Sequence, residues 1–384
     1  MRQYLHELKN VFRKGDMLLL LLCLITTTFG VIMISSATNH MGNLRFIIIQ
    51  IAAALLGVVF YLLISSIDVD FLSEHRIWLV GLNCFLLLLL IPFGTDNNTG
   101  NWSWLDIPLI PFDIQPAEVC KIFYIIIMAS VMTNHQSKIS SIPSIGHMVL
   151  HLGLLVGLNM VLSKDAGVSL IFVFIFIGMA FAGGVSLLWF LIAAGGIVAI
   201  APFAWDHILG EHQKLRLQVL IDPTLDPDGV GIRYHSVRSL RSLTGGGWSG
   251  QGLYEGIRTQ NGELPAQHTD YIFSAVGEEL GFLGCMLVLI LQLLIIARCI
   301  QVGLRSQDYM RRMVCFGAAS ALIFQVTSNI GMCTGLTPVI GLTLPFISYG
   351  GSSIVSLFAM LGLVSGVHAR PAAPSHARYI RPYR

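Results

Sequence analysis

Long apolar runs separated by short polar stretches dominate the pattern of this chain. A helix needs about 20 apolar residues to cross a hydrocarbon core of about 30 Å, and most of the runs have roughly that length. The pattern therefore predicts an all-α membrane protein, a bundle of about ten transmembrane helices. The predicted spans lie near residues 16–36, 46–66, 77–93, 115–133, 146–162, 167–183, 185–204, 271–298, 312–334 and 343–368.

The lysines and arginines of the short connections indicate how the spans are oriented. If the N-terminus is cytoplasmic, the inner segments hold fourteen basic residues (ten along the chain and four in the tail), and the short outer segments hold only Arg45 and Lys164. Because short cytoplasmic segments are enriched in Lys and Arg, both termini are predicted to be cytoplasmic. A large loop of about residues 205–270, between the seventh and eighth spans, is then extracellular. The predicted parts are an N-terminal segment, a membrane domain and a disordered cytoplasmic tail, at residues 1–15, 16–368 and 369–384.

Composition narrows the classes of function. Hydrophobic residues make up 54% of the chain and charged residues only 11%, against about a quarter charged in a typical soluble domain. A net charge of +2 without a basic patch argues against a nucleic-acid partner. The seven cysteines lie in or beside apolar runs without CxxC or Cys/His spacing, which favours packing over disulfides or zinc.

The large loop contains a glycine-dense stretch at residues 245–252, which includes Trp248. Three arginines precede it, at Arg233, Arg238 and Arg241. Glycines let backbone N–H groups approach a phosphate closely, and arginines bind phosphate oxygens in a bidentate fashion. The loop is therefore a candidate anion site, although a flexible loop that lies against lipid would show the same pattern.

Ionisable residues beside apolar runs are costly in a bilayer and mark candidate sites. Glu118 and Lys121, three residues apart near the outer end of the fourth span, are predicted to form an ion pair, whose simplest role is to hold helices together. Asp165 precedes the sixth span and Asp270 the eighth, so both fit helix N-caps. Asp270 also ends the large loop at the outer membrane face, where a carboxylate could accept a proton from a sugar or water hydroxyl.

Three stretches carry motifs that resemble those of one family. They are LPAQHTDYIF at residues 264–273 with GEELG at 277–281, NIGM at 329–332 with LPF at 344–346 and SYGGSS at 348–353, and QPAE at 115–118 with Lys121. Together they resemble the SEDS family (shape, elongation, division and sporulation), which contains RodA, FtsW and SpoVE. The resemblance runs from the first predicted span to the last.

The resemblance implies a peptidoglycan glycosyltransferase with a lipid-accessible groove in the bacterial cytoplasmic membrane. Such an enzyme polymerises lipid II at the outer face, with inversion and release of undecaprenyl pyrophosphate. The family's catalytic aspartate matches Asp270. The resemblance also implies a class B penicillin-binding protein, which is a transpeptidase, as the partner. A divalent cation could assist the departure of the pyrophosphate in this reaction. The candidate substrate-binding residues are Glu118, Lys121, Asp165, Arg233, Arg238, Arg241 and His268.

The sequence departs from the family pattern in two places that matter for function. Around Asp165 it reads SKDAGV where the family usually has QPDLGT, and the glycine-rich stretch of the loop also differs. Two other functions therefore stay open: a flippase for lipid-linked sugars, and a catalytically weak scaffold that recruits a transpeptidase. A transporter is expected to place charges along a path across the membrane. Here the motif charges cluster towards the predicted outer face, which favours the polymerase.

Overall fold

The computed structural model describes residues 15–95, 101–106, 113–207 and 210–370, and most of these residues are helical. Two short strands, β1 (Gly94–Thr95) and β2 (Trp104–Leu105), pair antiparallel. In chain order the helices are α1 Met17–Ala37, α2 Arg45–Ser66, α3 Val69–Glu74, α4 Arg76–Leu88, α5 Leu90–Phe93, α6 Pro116–Asn134, α7 Ile142–Leu162, α8 Ala166–Ala182, α9 Leu187–His207, α10 Glu211–Ile221, α11 Tyr234–Gly245, α12 Ile257–Gln260, α13 Ile272–Arg305, α14 Tyr309–Cys333 and α15 Gly351–Ala369.

The prediction of an all-α bundle of about ten transmembrane helices is confirmed. Within the described ranges, nine helical stretches are long and apolar enough to cross a membrane, with α4 and α5 forming one of them. The tenth, α8, has 17 residues, which is at the lower limit for a span. Residues 1–14 and 371–384, which make up most of the predicted cytoplasmic segments, lie outside the described residues.

The last span was predicted to begin at residue 343, and this is wrong, because α15 begins at Gly351. The preceding residues have irregular backbone. Pro345 cannot donate a helical hydrogen bond, and Phe346 has a left-handed φ of 63°. Irregular backbone at membrane depth requires partners from the protein itself, and neighbouring side chains supply them, as described below.

Small residues let α2 and α15 approach each other closely. A Cβ on Gly362 would lie 2.7 Å from the carbonyl oxygen of Tyr61, and one on Gly366 would lie 3.1 Å from that of Ser65. This spacing of two glycines four residues apart is typical of tightly packed membrane helices, which associate through close packing. The contact fixes α15, whose first turn borders the candidate site.

Helix α13 is interrupted at Gly281, where φ is 65° and ψ is −160°. The interruption leaves backbone groups without helical partners, and the glycine-rich stretch at residues 245–252 supplies partners. A Cβ on Gly246 would lie only 1.9 Å from the carbonyl oxygen of Gly277, so a glycine permits this approach. The N–H groups of Gln251 and Gly252 are therefore used inside the protein and are not available to a phosphate. The backbone hydrogen bonds run from Gln251 to Glu278, Gly252 to Glu279, Phe282 to Gly247 and Leu283 to Trp248.

Two buried carboxylates beside this interruption hold the loop in place. Glu278 accepts hydrogen bonds from the Thr259 N–H at 2.9 Å and from its hydroxyl at 2.7 Å. Glu279 accepts hydrogen bonds from Ser36 Oγ at 2.6 Å and from Gln260 Nε2 at 2.8 Å. Glu278 and Glu279 therefore tie the large loop to α1 and α13.

Helix α9 differs from the rest of the bundle, because none of its residues is buried. Leu191 is 68% exposed and Val198 is 72% exposed. Near its start, Trp189 Nε1 donates a 2.8 Å hydrogen bond to the carbonyl of Ser140. An apolar helix with so little protein around it requires lipid or another protein to cover its surface.

Candidate active site

Residues 268–270 form a turn just before α13, and hydrogen bonds from other parts of the protein hold its backbone in place. All three of its carbonyls accept a hydrogen bond from α14 or from the segment between α14 and α15. The backbone that carries Asp270 is therefore fixed from one side by three separate donors. The donors are Asn329 Nδ2 to Asp270 (2.7 Å), Ser348 Oγ to Thr269 (2.6 Å) and the Tyr349 N–H to His268 (2.8 Å).

The carboxylate of Asp270 does not cap a helix, so the N-cap interpretation is wrong for this residue. The N-cap position of α13 is Tyr271, and its side chain makes no cap hydrogen bond. Gly341 lies close to Asp270, because a Cβ at that position would be 3.6 Å from Oδ2. Burial, and then the negative charge of Asp165, raises the pKa of Asp270 to about 6. At neutral pH the group is still mostly ionised, and it is a stronger base than an exposed aspartate.

Asp165 caps α8, as one interpretation of the sequence predicted. Its Oδ1 accepts a 3.1 Å hydrogen bond from the Val168 N–H, and its Oδ2 lies 3.3 Å from Ser103 Oγ and 3.5 Å from Gln115 Nε2. Burial raises the pKa of Asp165. The hydrogen bonds from Val168 and Ser103 oppose that rise, and the charge of Glu118 adds to it. Asp165 therefore both caps a helix and adds a second carboxylate to the site.

The predicted ion pair between Glu118 and Lys121 is present in the first turns of α6. Lys121 Nζ lies 2.6 Å from Glu118 Oε2, and both side chains are almost fully buried. Ser356 Oγ on α15 donates a 2.6 Å hydrogen bond to the same oxygen. Removing one member of such a pair leaves an unpaired charge in a buried position. Lys121 therefore lies inside the wall of the site rather than on its surface.

The three predicted arginines all lie at or on α11, and two of them, Arg233 and Arg238, bond through their side chains to the large loop itself. Arg233 Nη1 donates a 3.2 Å hydrogen bond to a loop carbonyl. Arg238 lies over the Tyr234 ring, 4.4 Å from its centroid, and donates a 2.6 Å hydrogen bond to another loop carbonyl. Arg241 is exposed. These bonds hold Arg233 and Arg238 to the loop rather than to the Asp270 turn.

His268 lies in the Asp270 turn, as its position in the motif requires. Its ring centroid is 5.0 Å from that of Phe46 and 5.7 Å from that of Tyr349. Burial, and then the nearby His40, lowers the pKa of the His268 imidazole, which favours the neutral ring. Among the described residues its buried Nδ1 has no hydrogen-bond partner. The ring thus retains hydrogen-bonding capacity beside Asp270.

Sequence reasoning missed three residues around the site. Arg216 on α10 donates a 3.2 Å hydrogen bond to the carbonyl of Val339, and its charge acts on the neighbouring Tyr271. Asn329 belongs to a quoted motif, but nothing in its spacing pointed to the backbone of Asp270. Ser356 gave no signal at all, because a serine in an apolar run more often bonds to its own helix.

The described side chains of the site do not provide the ligands that a metal ion requires. Within the described ranges, no three His, Cys, Asp or Glu side chains are grouped so that they could hold a metal ion. A divalent cation prefers several oxygen ligands, and Asp270 and Asp165 alone provide too few. The described residues of the site therefore do not form a metal centre by themselves.

The sequence profile of the FtsW/RodA/SpoVE family of cell cycle proteins matches residues 16–372. A probable peptidoglycan glycosyltransferase FtsW of Trichlorobacter lovleyi is 31% identical, with 97% of this chain and 100% of that protein covered. The peptidoglycan glycosyltransferase MrdB of Escherichia coli K12 is also 31% identical, with 92% of each chain covered. The fold is similar to a chain of a solved peptidoglycan synthase complex that coordinates polymerization and crosslinking, with a TM-score of 0.79, 27% identity and coverage of 96% and 99%.

The fold and the site together define a multi-pass membrane protein with a cluster of carboxylates at the N-terminal ends of its helices. The chain belongs to the FtsW/RodA/SpoVE family.

Proposed function

We propose that this chain is a peptidoglycan glycosyltransferase that polymerises lipid II, with Asp270 as the general base. One observation carries the proposal. The charged side chains of the site lie at or before the N-terminal ends of three helices: Asp270 before α13, Asp165 before α8, and the Glu118–Lys121 pair in α6. They are also close together, because the charge of Asp165 raises the pKa of Asp270 and the charge of Glu118 raises the pKa of Asp165. The names of the relatives support the same reaction.

In the proposed reaction, Asp270 accepts the proton of the acceptor sugar hydroxyl. The acceptor oxygen forms a bond to the anomeric carbon of the donor as the bond from that carbon to the pyrophosphate breaks. The electron pair leaves with the pyrophosphate, and the anomeric carbon is inverted. A raised pKa suits this role, because a base works best when its pKa lies near the working pH.

The negative charge that develops on the leaving pyrophosphate needs positive partners. Lys121 is one candidate, although it would have to share its charge between Glu118 and the substrate. Arg233, Arg238, Arg241 and Arg216 are the other candidates, since all four lie on the polar loop that precedes Asp270. His268, with its free ring nitrogen, is a candidate donor or acceptor for a sugar hydroxyl.

We further propose that the protein lies in the bacterial cytoplasmic membrane with both termini inside and the Asp270 turn at the outer face. The distribution of Lys and Arg over the short loops supports this orientation. The proposed partner is a class B penicillin-binding protein, because the structural neighbour belongs to a complex that joins polymerization to crosslinking.

A flippase for lipid-linked sugars fits the structure less well. A transporter is expected to bind its substrate near the middle of the membrane, whereas the carboxylates here lie at or before the ends of helices. A catalytically weak scaffold would need no aspartate with a raised pKa. Both alternatives are separated from the polymerase by the following experiment.

The test supplies labelled lipid II to the purified full-length protein with its partner transpeptidase. Wild type is expected to give glycan chains and Asp270→Asn none, because the amide keeps the shape of the side chain but cannot accept the proton. Asp228→Asn, which changes an exposed aspartate of the same loop, is the matched control and should polymerise normally.

Normal polymer from a folded Asp270→Asn protein would refute the proposed role of this residue. If wild type gives no polymer but moves labelled lipid II across a vesicle membrane, the protein is a flippase. If it gives neither product and only binds the transpeptidase, it is a scaffold.

A further inference from the structure

Asn329 on α14 is fully buried, and its side-chain amide makes two short hydrogen bonds to backbone carbonyls. Its Nδ2 donates to the carbonyl of Asp270 at 2.7 Å and to the carbonyl of Leu342 at 2.7 Å. Both protons of one amide group are therefore used, and they join two segments far apart in sequence. Cys333, one turn later on the same helix face, also approaches the Asp270 carbonyl, with its sulfur 3.7 Å from that oxygen.

The second of these bonds acts on the surroundings of the Asp270 carboxylate. Leu342 follows Gly341, the residue that lies against Asp270 Oδ2, and Gly341 has a φ of 67°. The carbonyl of Ile340, in turn, would lie 2.5 Å from a Cβ on Gly167, two residues after Asp165. Asn329 thus fixes both the backbone that carries the carboxylate and the irregular segment that covers it.

We infer that Asn329 is a positioning residue for Asp270, which sets the distance between this carboxylate and the segment around Gly341. The inference rests on the proposed function. Without the amide, two buried carbonyls lose their partner, and a buried carbonyl without a partner drives local rearrangement. A displacement of about 1 Å in a catalytic group can lower the rate about 100-fold.

Another buried amide offers a matched control. Gln292 Nε2 on α13 donates a 2.6 Å hydrogen bond to the carbonyl of Pro345, in the same irregular segment. Gln292 is also buried and also holds this segment, but among the described residues it makes no hydrogen bond to the turn that carries Asp270. Gln292 contacts only the irregular segment, whereas Asn329 contacts both this segment and the turn that carries Asp270. Comparing the two residues therefore distinguishes support of the segment from positioning of the Asp270 carboxylate.

The experiment compares Asn329→Leu with Gln292→Met in the full-length protein with its partner and lipid II. Each change keeps the approximate length of the side chain, with Leu bulkier than Asn, and removes the donor. We expect kcat to fall about 100-fold in Asn329→Leu with KM nearly unchanged, and both constants to stay near wild type in Gln292→Met. Thermal unfolding reports whether the two variants are equally folded.

A pH profile adds a readout of how closely position 329 approaches the Asp270 carboxylate. The titratable and charged groups around Asp270 are His268, Asp165, Tyr271 and Cys333, with Arg216 beside Tyr271. Asn329→Asp adds a carboxylate there, which disfavours the ionised form of Asp270. The acid limb of the activity profile should therefore move to higher pH. Gln292→Glu adds a carboxylate next to Pro345 and should leave that limb in place.

The inference is wrong if Asn329→Leu keeps wild-type kcat, or if Asn329→Leu and Gln292→Met lose kcat and thermal stability together. It is also wrong if both Asn329 variants fail to fold while Gln292→Met folds, because Asn329 is then a structural residue. An active Asp270→Asn protein would instead refute the proposed role of Asp270 itself, which is a distinguishable result.

Discussion

Helices α6 and α9 both have the composition of membrane spans, yet their surroundings in the bundle are opposite. The mean hydropathy of α9 is the higher of the two, 2.2 against 1.5 for α6. Nevertheless, most of α6 is buried, including Glu118 and Lys121, whereas no residue of α9 is buried. The less apolar helix is therefore the one that the protein surrounds.

The difference shows where a membrane protein can place charge. Within a bilayer, ionisable side chains need partners from the protein, and α6 has them, for example Ser356 on α15. Helix α9 has no titratable residue between Leu187 and Trp205, so it can face lipid over that length. Candidate chemistry is accordingly expected in the less hydrophobic span.

The largest effect is expected from Lys121→Met in α6. The change leaves Glu118 buried without its cation, which should destabilise the protein by about 3–5 kcal/mol. Polymerisation of lipid II should fall roughly 100-fold, as for the loss of one stabilising charge. Thermal unfolding and a glycan assay measure the two effects separately.

A double variant, Lys121→Met with Glu118→Gln, decides between the two roles of the pair. It removes both charges and keeps a side chain that Ser356 can bond, so stability should return. If polymerisation also returns, the pair only holds helices together. If the protein is stable and inactive, the charges serve the reaction.

A smaller effect is expected from two glycine substitutions that differ only in their surroundings. Gly246→Ala places a Cβ 1.9 Å from the carbonyl oxygen of Gly277 and should destabilise the protein by about 1–3 kcal/mol through overpacking. Gly195→Ala on α9 meets nothing within 4 Å and should leave stability unchanged or raised, because alanine is the better helix former. Equal losses in chemical unfolding would show that α9 is packed after all.

The smallest effect is expected in the pH dependence of activity. Asp270 must be ionised to act as a base, and its pKa is raised to about 6. Activity should therefore rise as the pH increases through about 6. Asp165→Asn removes a negative charge that contributes to this rise, so the acid limb should move to lower pH.

Leu191→Ala on α9 serves as the control for the pH experiment. The substitution changes an exposed side chain far from any titratable group of its helix. The acid limb of the variant's activity profile should therefore coincide with that of wild type. A limb that moves in Leu191→Ala, or stays in place in Asp165→Asn, would contradict the electrostatic account of Asp270.

Much of the fold could be predicted from the sequence, because apolar length alone defines a span. The ion pair of Glu118 with Lys121 and the cap at Asp165 were also predictable, since both depend on residues close in sequence. The start of α15 was not, although Pro345 gave a local signal against a helix there.

The tertiary arrangement of the site could not be derived from local spacing. The bonds of Asn329 join residues 59 and 13 positions away, and no periodicity encodes such contacts. The glycine-rich stretch was misleading for a physical reason. Glycine allows the close approach of either a ligand or another stretch of backbone. In this protein the glycine-rich stretch packs against the interrupted helix α13.

The interruption of α13 at Gly281 also has a mechanical consequence. The large loop replaces the missing helical bonds there, so the loop and the first part of α13 should open and close as one cooperative unit. From Ile272 to Leu280 this part is a stiff rod of nine residues, about 13 Å long. A force on the exposed Trp248, which lies against Phe282, would therefore be transmitted along the rod to Asp270 at its other end.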